Sequence, residues 1–245
     1  MKAVCVGATR GIGRALARLL AGRGDALCLL GRDPAELEAS ARDLQARGAR
    51  APVGTALLDL GMPAGFVDAL DAADRALDGF DTLVVTGGLL GRQADLATDP
   101  LALERLLDVN FTGTVVLCQM TAERLAARGG GTICAFSSVA GDRGRRGIYL
   151  YGAAKAGLST FLEGLDYAYR GRGVRVLCVK PGFVRTGMTV GLREPPFAAD
   201  PEPVARAALE AIEAGRSVIY TPGIWRWVMA AIRALPRRVM RRLDF

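Results

Sequence analysis

The chain has no histidine. That absence excludes a Ser-His-Asp triad, a His-ligated metal site and a His general base. Any proton transfer must fall to another titratable side chain. Cysteine is dispersed: Cys5, Cys28, Cys118, Cys134 and Cys178 make no C-x-x-C pair. Four of the five lie in apolar, strand-like runs, where a thiol behaves as a small hydrophobe. They read as reduced and structural, which predicts a cytoplasmic protein. No apolar run reaches the roughly 18 residues of a spanning helix. No signal peptide is expected, because Met1-Lys2 leads straight into an apolar strand and a glycine-rich turn. Acid is scarce at the end of the chain. From Ile224 to Phe245 six arginines face one aspartate, which accounts for five of the seven net positive charges. The basic character is local, so a nucleic-acid partner is not expected.

What is present suits one large domain. Of 245 residues, 51% are hydrophobic, enough for a sizeable core. Apolar strands are read at Lys2–Val6, Ala26–Leu30, Ala51–Leu58, Thr82–Thr86, Thr132–Ser137, Val174–Val179 and Ser217–Tyr220. Helical patterns separate them, including a long stretch from Thr98-Asp99-Pro100 to Arg128 and another from Tyr149 to Arg170. Strands without polar alternation, divided by helices, predict a parallel sheet covered on both faces. The expected fold is α/β: a single doubly wound, Rossmann-type domain over residues 1–223. It has about seven parallel strands and helices on both faces. Residues 224–245 read as a basic amphipathic helical tail.

Gly7-Ala8-Thr9-Arg10-Gly11-Ile12-Gly13 follows the first strand and opens a helix. Glycines permit a tight turn, and a helix N-terminus favours an anionic pyrophosphate. The spacing is G-x-x-x-G-x-G, and a plain packing turn is the competing explanation. The second strand ends in Leu30-Gly31-Arg32, with no acid where a ribose 2′-hydroxyl would want one. Arg32 and Arg10 suit a 2′-phosphate, which favours NADP(H). NAD(H) stays open, because Asp33 follows directly and both arginines could be solvated surface charges.

Ser138, Tyr151 and Lys155 form the central constellation. At i and i+4, Tyr151 and Lys155 share one helix face. A cation beside a phenol favours the phenolate, which would bring the tyrosine pKa down toward neutrality. Ser138 would polarise a carbonyl. Together they are equipment for proton transfer at an alcohol or ketone oxygen. A Tyr-x-x-x-Lys alone is common by chance, and an ordinary buried tyrosine is the alternative.

The glycine turn, Asp59-Leu60, Asn110, Ser138, Tyr151, Lys155 and Pro181-Gly182 occur in the order and spacing of the short-chain dehydrogenase/reductase family, which the chain resembles over nearly its whole length. The resemblance implies an NAD(P)H-dependent reductase with Tyr151 as proton donor and Ser138 holding the substrate oxygen. Lys155 would bond the nicotinamide ribose and lower the tyrosine pKa. Asn110 would hold a water that relays protons to Lys155. Gly7, Thr9, Arg10, Gly11, Ile12, Gly13 and Arg32 would bind the cofactor phosphates, and Asp59 and Leu60 would meet the adenine. Thr86, Gly87, Gly88, Pro181, Gly182, Val184 and Thr186 would complete the cofactor site. A homo-oligomer built through the helices around Asn110 and Tyr151 is implied as well. One departure stands out. Members carry Asn-Asn-Ala-Gly after the fourth strand, whereas this chain has Val85-Thr86-Gly87-Gly88, so the asparagine side-chain bonds are expected to be lost.

A narrower resemblance comes from GLLG at Gly88–Gly91, AGDRGRR at Ala140–Arg146, KPGFVRTGMT at Lys180–Thr189, and the tail with Trp225-Arg226 and Leu235-Pro236-Arg237-Arg238. These look like the reductase half of the decaprenylphosphoryl-ribose 2′-epimerases. The implied substrate is a polyprenyl-phosphate-linked 2-keto pentose, made by a flavin-dependent oxidase partner. A general carbonyl or 3-oxoacyl ketoreductase is the alternative, and a non-catalytic NADP-sensing scaffold is a further one. In the tail, Ile224, Trp225, Val228, Met229, Ile232 and Leu235 recur at helical spacing among arginines. This suits either a peripheral contact with the inner membrane face or a helix docked on the protein. Asp142, Arg143, Arg145 and Arg146 read as a basic loop beside the active site, where a phosphate-bearing substrate would enter.

Overall fold

The structure is a computed structural model that describes residues 1–243, with residue 51 as part of its strand only. Seven strands form one parallel sheet: β1 (Lys2–Val6), β2 (Ala26–Gly31), β3 (Arg50–Leu57), β4 (Thr82–Val85), β5 (Gly131–Phe136), β6 (Val174–Pro181) and β7 (Val218–Thr221). Their order across the sheet is β3-β2-β1-β4-β5-β6-β7. The helices are α1 (Gly11–Gly22), α2 (Pro34–Ala46), α3 (Phe66–Leu77), α4 (Gln93–Thr98), α5 (Pro100–Leu107), α6 (Gly113–Ala127), α7 (Tyr149–Tyr169), α8 (Pro201–Glu213), α9 (Ile224–Ala234) and α10 (Arg237–Met240). The doubly wound architecture is the one expected.

Alternate residues of a strand point to opposite faces. Here both faces are covered, which is why the strands are apolar throughout. Cys5, Leu27, Leu29 and Val179 pack toward α1, α2 and α8 through Leu16, Leu20, Leu37 and Ile212. Val4, Val6, Leu30 and Ile133 pack the other way, against Phe66 and Leu70 of α3, Leu117 of α6 and Leu158 of α7. All five cysteines are buried and free. Burial pushes the Cys5, Cys28 and Cys118 thiols up to about 12, so they are inert packing residues.

The long helical stretch read from Thr98 to Arg128 is not continuous. Asp99 caps α5 by accepting from the N–H groups of Leu101 and Ala102, with Pro100 at its first position. A π-helical turn over Asp108–Thr112 then separates α5 from α6. Gly113 explains the join. A Cβ there would stand 1.6 Å from the Leu60 carbonyl oxygen, so only glycine lets α6 start against that strand end. Asn110 sits in the π turn. The tail folds back: Trp225 and Met229 of α9 are buried with Val139, beside Tyr220, Val228 and Ile232. Asp244 and Phe245, the last two residues of the tail, lie outside the described residues.

Candidate active site

Sheet order reverses direction between β1 and β4, and open α/β sheets bind ligands at the carboxyl ends of the strands beside such a switch. A cavity of about 1680 Å³ lies there. Every candidate cofactor residue lines it except Asn110. At one end, Gly7 adopts φ +80°, which favours glycine, and closes the turn onto β4. Gly13 must also be glycine, since a Cβ would stand 2.3 Å from the Gly7 carbonyl oxygen. Arg10 precedes α1 without making a side-chain cap. The first-turn N–H groups of α1, from residues that line the cavity, are therefore left for an anion.

The β2 end carries Arg32, Asp33 and Glu36. Asp33 accepts from the N–H groups of Ala35 and Glu36, so its carboxylate caps α2. Arg10 pairs with Glu36. Arg32 is exposed and forms no ion pair among the described residues. The two arginines thus differ: one is held by an acid, and the other is available. Asp59, at the β3 end, accepts two bonds of 2.7 Å from Arg105 and one of 2.9 Å from the Gly61 N–H. Burial pushes its carboxyl up, but the Gly61 N–H and Arg105 outweigh this and hold it below the usual carboxylate range.

Thr86, where the family pattern has asparagine, makes a side-chain link of its own. Its hydroxyl bonds the Val6 carbonyl at 2.9 Å and the Gly7 carbonyl at 3.1 Å, tying β4 to the glycine turn. Asn110 is fully buried. Its amide donates to the Leu89 carbonyl (2.8 Å) and the Leu106 carbonyl (3.0 Å), and its oxygen accepts from the Leu89 N–H (3.1 Å). It fixes the segment after Gly88, where a Cβ would stand 2.8 Å from Asn110 Oδ1 and 3.6 Å from Lys155 Nζ.

Ser138, Tyr151 and Lys155 come together on the wall of the cavity. Ser138 follows β5 and caps a short 3-10 turn, accepting from the Ala140 N–H at 3.1 Å. Its hydroxyl lies close enough to the Tyr151 phenol to act on its pKa. Tyr151 and Lys155 share α7, as their spacing requires. The expected effect of the lysine on the phenol is not what the structure shows. Lys155 Nζ donates to the Phe136 carbonyl at 2.9 Å and stands 5.8 Å from the Tyr151 ring centroid. Burial pushes the Tyr151 phenol up to about 12, although Ser138 acts to lower it. Burial also brings Lys155 down to about 8. Desolvation dominates the Tyr151 shift and favours the phenol over the phenolate.

Two features escaped the sequence reading. The loop after Ser138 is pinned by Asp142, which accepts from Lys180 Nζ (2.8 Å) and the Tyr220 hydroxyl (2.7 Å). These three residues are far apart in sequence, so only topology reveals the cluster. The second feature is the cavity wall built by Trp225, Val228 and Ile232 of α9. A Cβ on Gly182 would stand 2.0 Å from Trp225 Nε1, so the indole lies directly on the end of β6. Arg145, of the basic loop, also lines the cavity.

The sequence profile of the short chain dehydrogenase family matches residues 1–196. This chain belongs to the short-chain dehydrogenase/reductase family. It is an NAD(P)-dependent oxidoreductase. An uncharacterized oxidoreductase of Mycobacterium tuberculosis is 37% identical over 240 residues, covering 98% of this chain and 96% of the relative. Carbonyl reductase family member 4 of Xenopus tropicalis is 33% identical over 226 residues, covering 87% of this chain and 92% of the relative. Among solved structures, a short-chain dehydrogenase from Sphingobium yanoikuyae in complex with NADPH superposes with a TM-score of 0.82 at 26% identity, covering 96% of each chain. No helix among the described residues is long and apolar enough to cross a membrane.

Proposed function

We propose that this oxidoreductase reduces a ketone, with Tyr151 as the proton donor. The observation that carries this reading is the convergence of Tyr151, Ser138 and Lys155 on one cavity with the glycine turn and Arg32. Burial pushes the phenol up to about 12, which favours the protonated form and suits protonation of a developing alkoxide. A bound nicotinamide cofactor supplies hydride to the carbonyl carbon. Ser138 holds the ketone oxygen toward the Tyr151 proton, and the ammonium of Lys155 stabilises negative charge developing there. The N-terminal N–H groups of α1 would hold the pyrophosphate, and Asp59 and Leu60 would border the adenine. NADP(H) is the favoured cofactor because Arg32 is available for a 2′-phosphate while Asp33 is engaged in capping α2.

For the substrate, the reading is a polyprenyl-phosphate-linked 2-keto pentose supplied by a flavin-dependent oxidase. Two observations support it beyond the sequence resemblance. Part of the wall is apolar, from Trp225, Val228 and Ile232, and Arg145 lies at the same cavity as the catalytic tyrosine. An apolar wall near a guanidinium suits a lipid-linked anion. A general carbonyl or 3-oxoacyl ketoreductase is the second reading, supported by the likeness to a carbonyl reductase. The test is oxidation of NADPH, and of NADH in parallel, with the lipid-linked keto pentose, a 3-oxoacyl thioester and small soluble ketones. The reading expects NADPH turnover to be fastest with the lipid-linked sugar. Turnover confined to the thioester or to soluble ketones would overturn the substrate, and equal rates with NADH would overturn the cofactor preference.

A further inference from the structure

We propose that α9 and α10 seat this protein on the surface of an anionic lipid bilayer. The helix α9 has two apolar sides. Trp225, Val228, Met229 and Ile232 face the protein, where they cover the cavity and Val139. Ile224, Trp227, Ala231 and Ala234 recur on the opposite side at the three- and four-residue spacing of one helix face. Trp227 is 70% exposed, and Ile224 is exposed beside it. Val239 and Leu243 continue the exposed apolar set into α10 and just beyond it. An aromatic side chain of this size gains most where one side meets hydrocarbon and the other meets water.

Among the described residues of α9, α10 and the segment to Leu243 the charge is of one sign. Arg226, Arg233, Arg237, Arg238, Arg241 and Arg242 belong to it, and none forms an ion pair among the described residues. Two more arginines join from the basic loop. Arg143 donates to the Leu235 carbonyl at 3.0 Å, and Arg146 donates to the Arg241 carbonyl at 2.8 Å. Arg143, Arg146, Arg237 and Arg241 thus line one cleft of about 450 Å³. Four guanidiniums around a cleft match the phosphates of lipid headgroups.

The charge pattern selects the occupant. A second copy meeting the same face would set arginines against arginines. A nucleic acid would neutralise them but leave Ile224, Val239 and Leu243 in water. An anionic bilayer satisfies both sets at once. The face also continues toward the cavity. Phe197 meets Trp225 edge-on at 6.5 Å, and Trp225 Nε1 donates to the Phe197 carbonyl at 3.3 Å. The loop ending at Phe197 exposes Met188, Val190 and Leu192, with Val190 81% exposed. The bilayer contact and the cavity wall are therefore opposite sides of one helix.

Sedimentation of the full chain with phosphatidylglycerol vesicles and with phosphatidylcholine vesicles tests this. Binding to phosphatidylglycerol is expected to be at least tenfold tighter and to weaken as salt is raised. Arg238→Glu with Arg242→Glu should cost at least tenfold more, and Trp227→Ser several-fold, with NADPH binding by nicotinamide fluorescence unchanged. Excess glycerol phosphate should not release the protein, because a soluble headgroup leaves the apolar set unsatisfied. Equal binding to both vesicles, no binding, insensitivity to the double charge reversal, or release by glycerol phosphate would overturn the proposal. So would a dimer that Trp227→Ser dissociates while vesicles go unbound. NADPH oxidation with the small soluble ketones and the thioester needs no vesicle, so a failure here leaves the reductase reading standing.

Discussion

Lys155 is placed where its charge is costly to the folded state. Burial brings its pKa from 10.5 down to about 8. The unfolded chain therefore binds more protons than the folded one between about pH 8 and 10.5. Stability contributed at this site rises with pH through that window and is lowest below it. The difference amounts to about 3 kcal/mol. Lys155→Met should therefore remove an upward slope of about this size in unfolding free energy between pH 8 and 10.5. Denaturant titrations of both proteins across that range check it, and parallel slopes would contradict it. The same residue shows where sequence reasoning stops. Spacing placed Lys155 and Tyr151 on one face correctly. The sign of the phenol shift depended on burial, which is not visible in a Tyr-x-x-x-Lys pattern.

Elements bring distant residues into single clusters. Asp142 follows the Ser138 turn, Lys180 lies in β6 and Tyr220 in β7. The Asp142 side chain is only 2% exposed. Burial acts to lower the Lys180 pKa, but the Asp142 bond and charge outweigh it and raise the value. A raised lysine contributes stability that is fully present below its unfolded pKa and is lost as pH climbs through the folded value. At neutral pH the pair is intact. Asp142→Ala leaves a buried ammonium without its carboxylate and should destabilise the fold by about 3 kcal/mol. A urea denaturation midpoint at pH 7 measures this, and a loss below about 1 kcal/mol would contradict the pinning role. Cluster residues of this kind carry no motif. The Asp99-Pro100 cap, by contrast, was legible because its signal is local. The π turn at Asn110 was not, and the close approach of Gly113 to the Leu60 carbonyl beside it is a long-range contact that no local motif signals.

At the scale of the whole molecule, the parallel sheet was the most legible feature. Seven apolar strands between helices allow few other arrangements, and the strand ends then gather the glycine turn, Arg32, Asp59 and Thr86 at one crevice. The tail was the least legible. Its apolar spacing fitted either docking or a membrane surface. The structure shows one side of α9 docked over the cavity and the other exposed. That division came from the end of β6, where Gly182 makes room for the indole of Trp225. The central claim is that this assembled crevice delivers a proton from Tyr151 to a ketone oxygen. Its most direct test is the turnover number of Tyr151→Phe for ketone reduction, measured with NADPH affinity on the same samples. The account predicts a loss of about a hundredfold or more with NADPH affinity unchanged, and turnover close to that of the unaltered protein would contradict it.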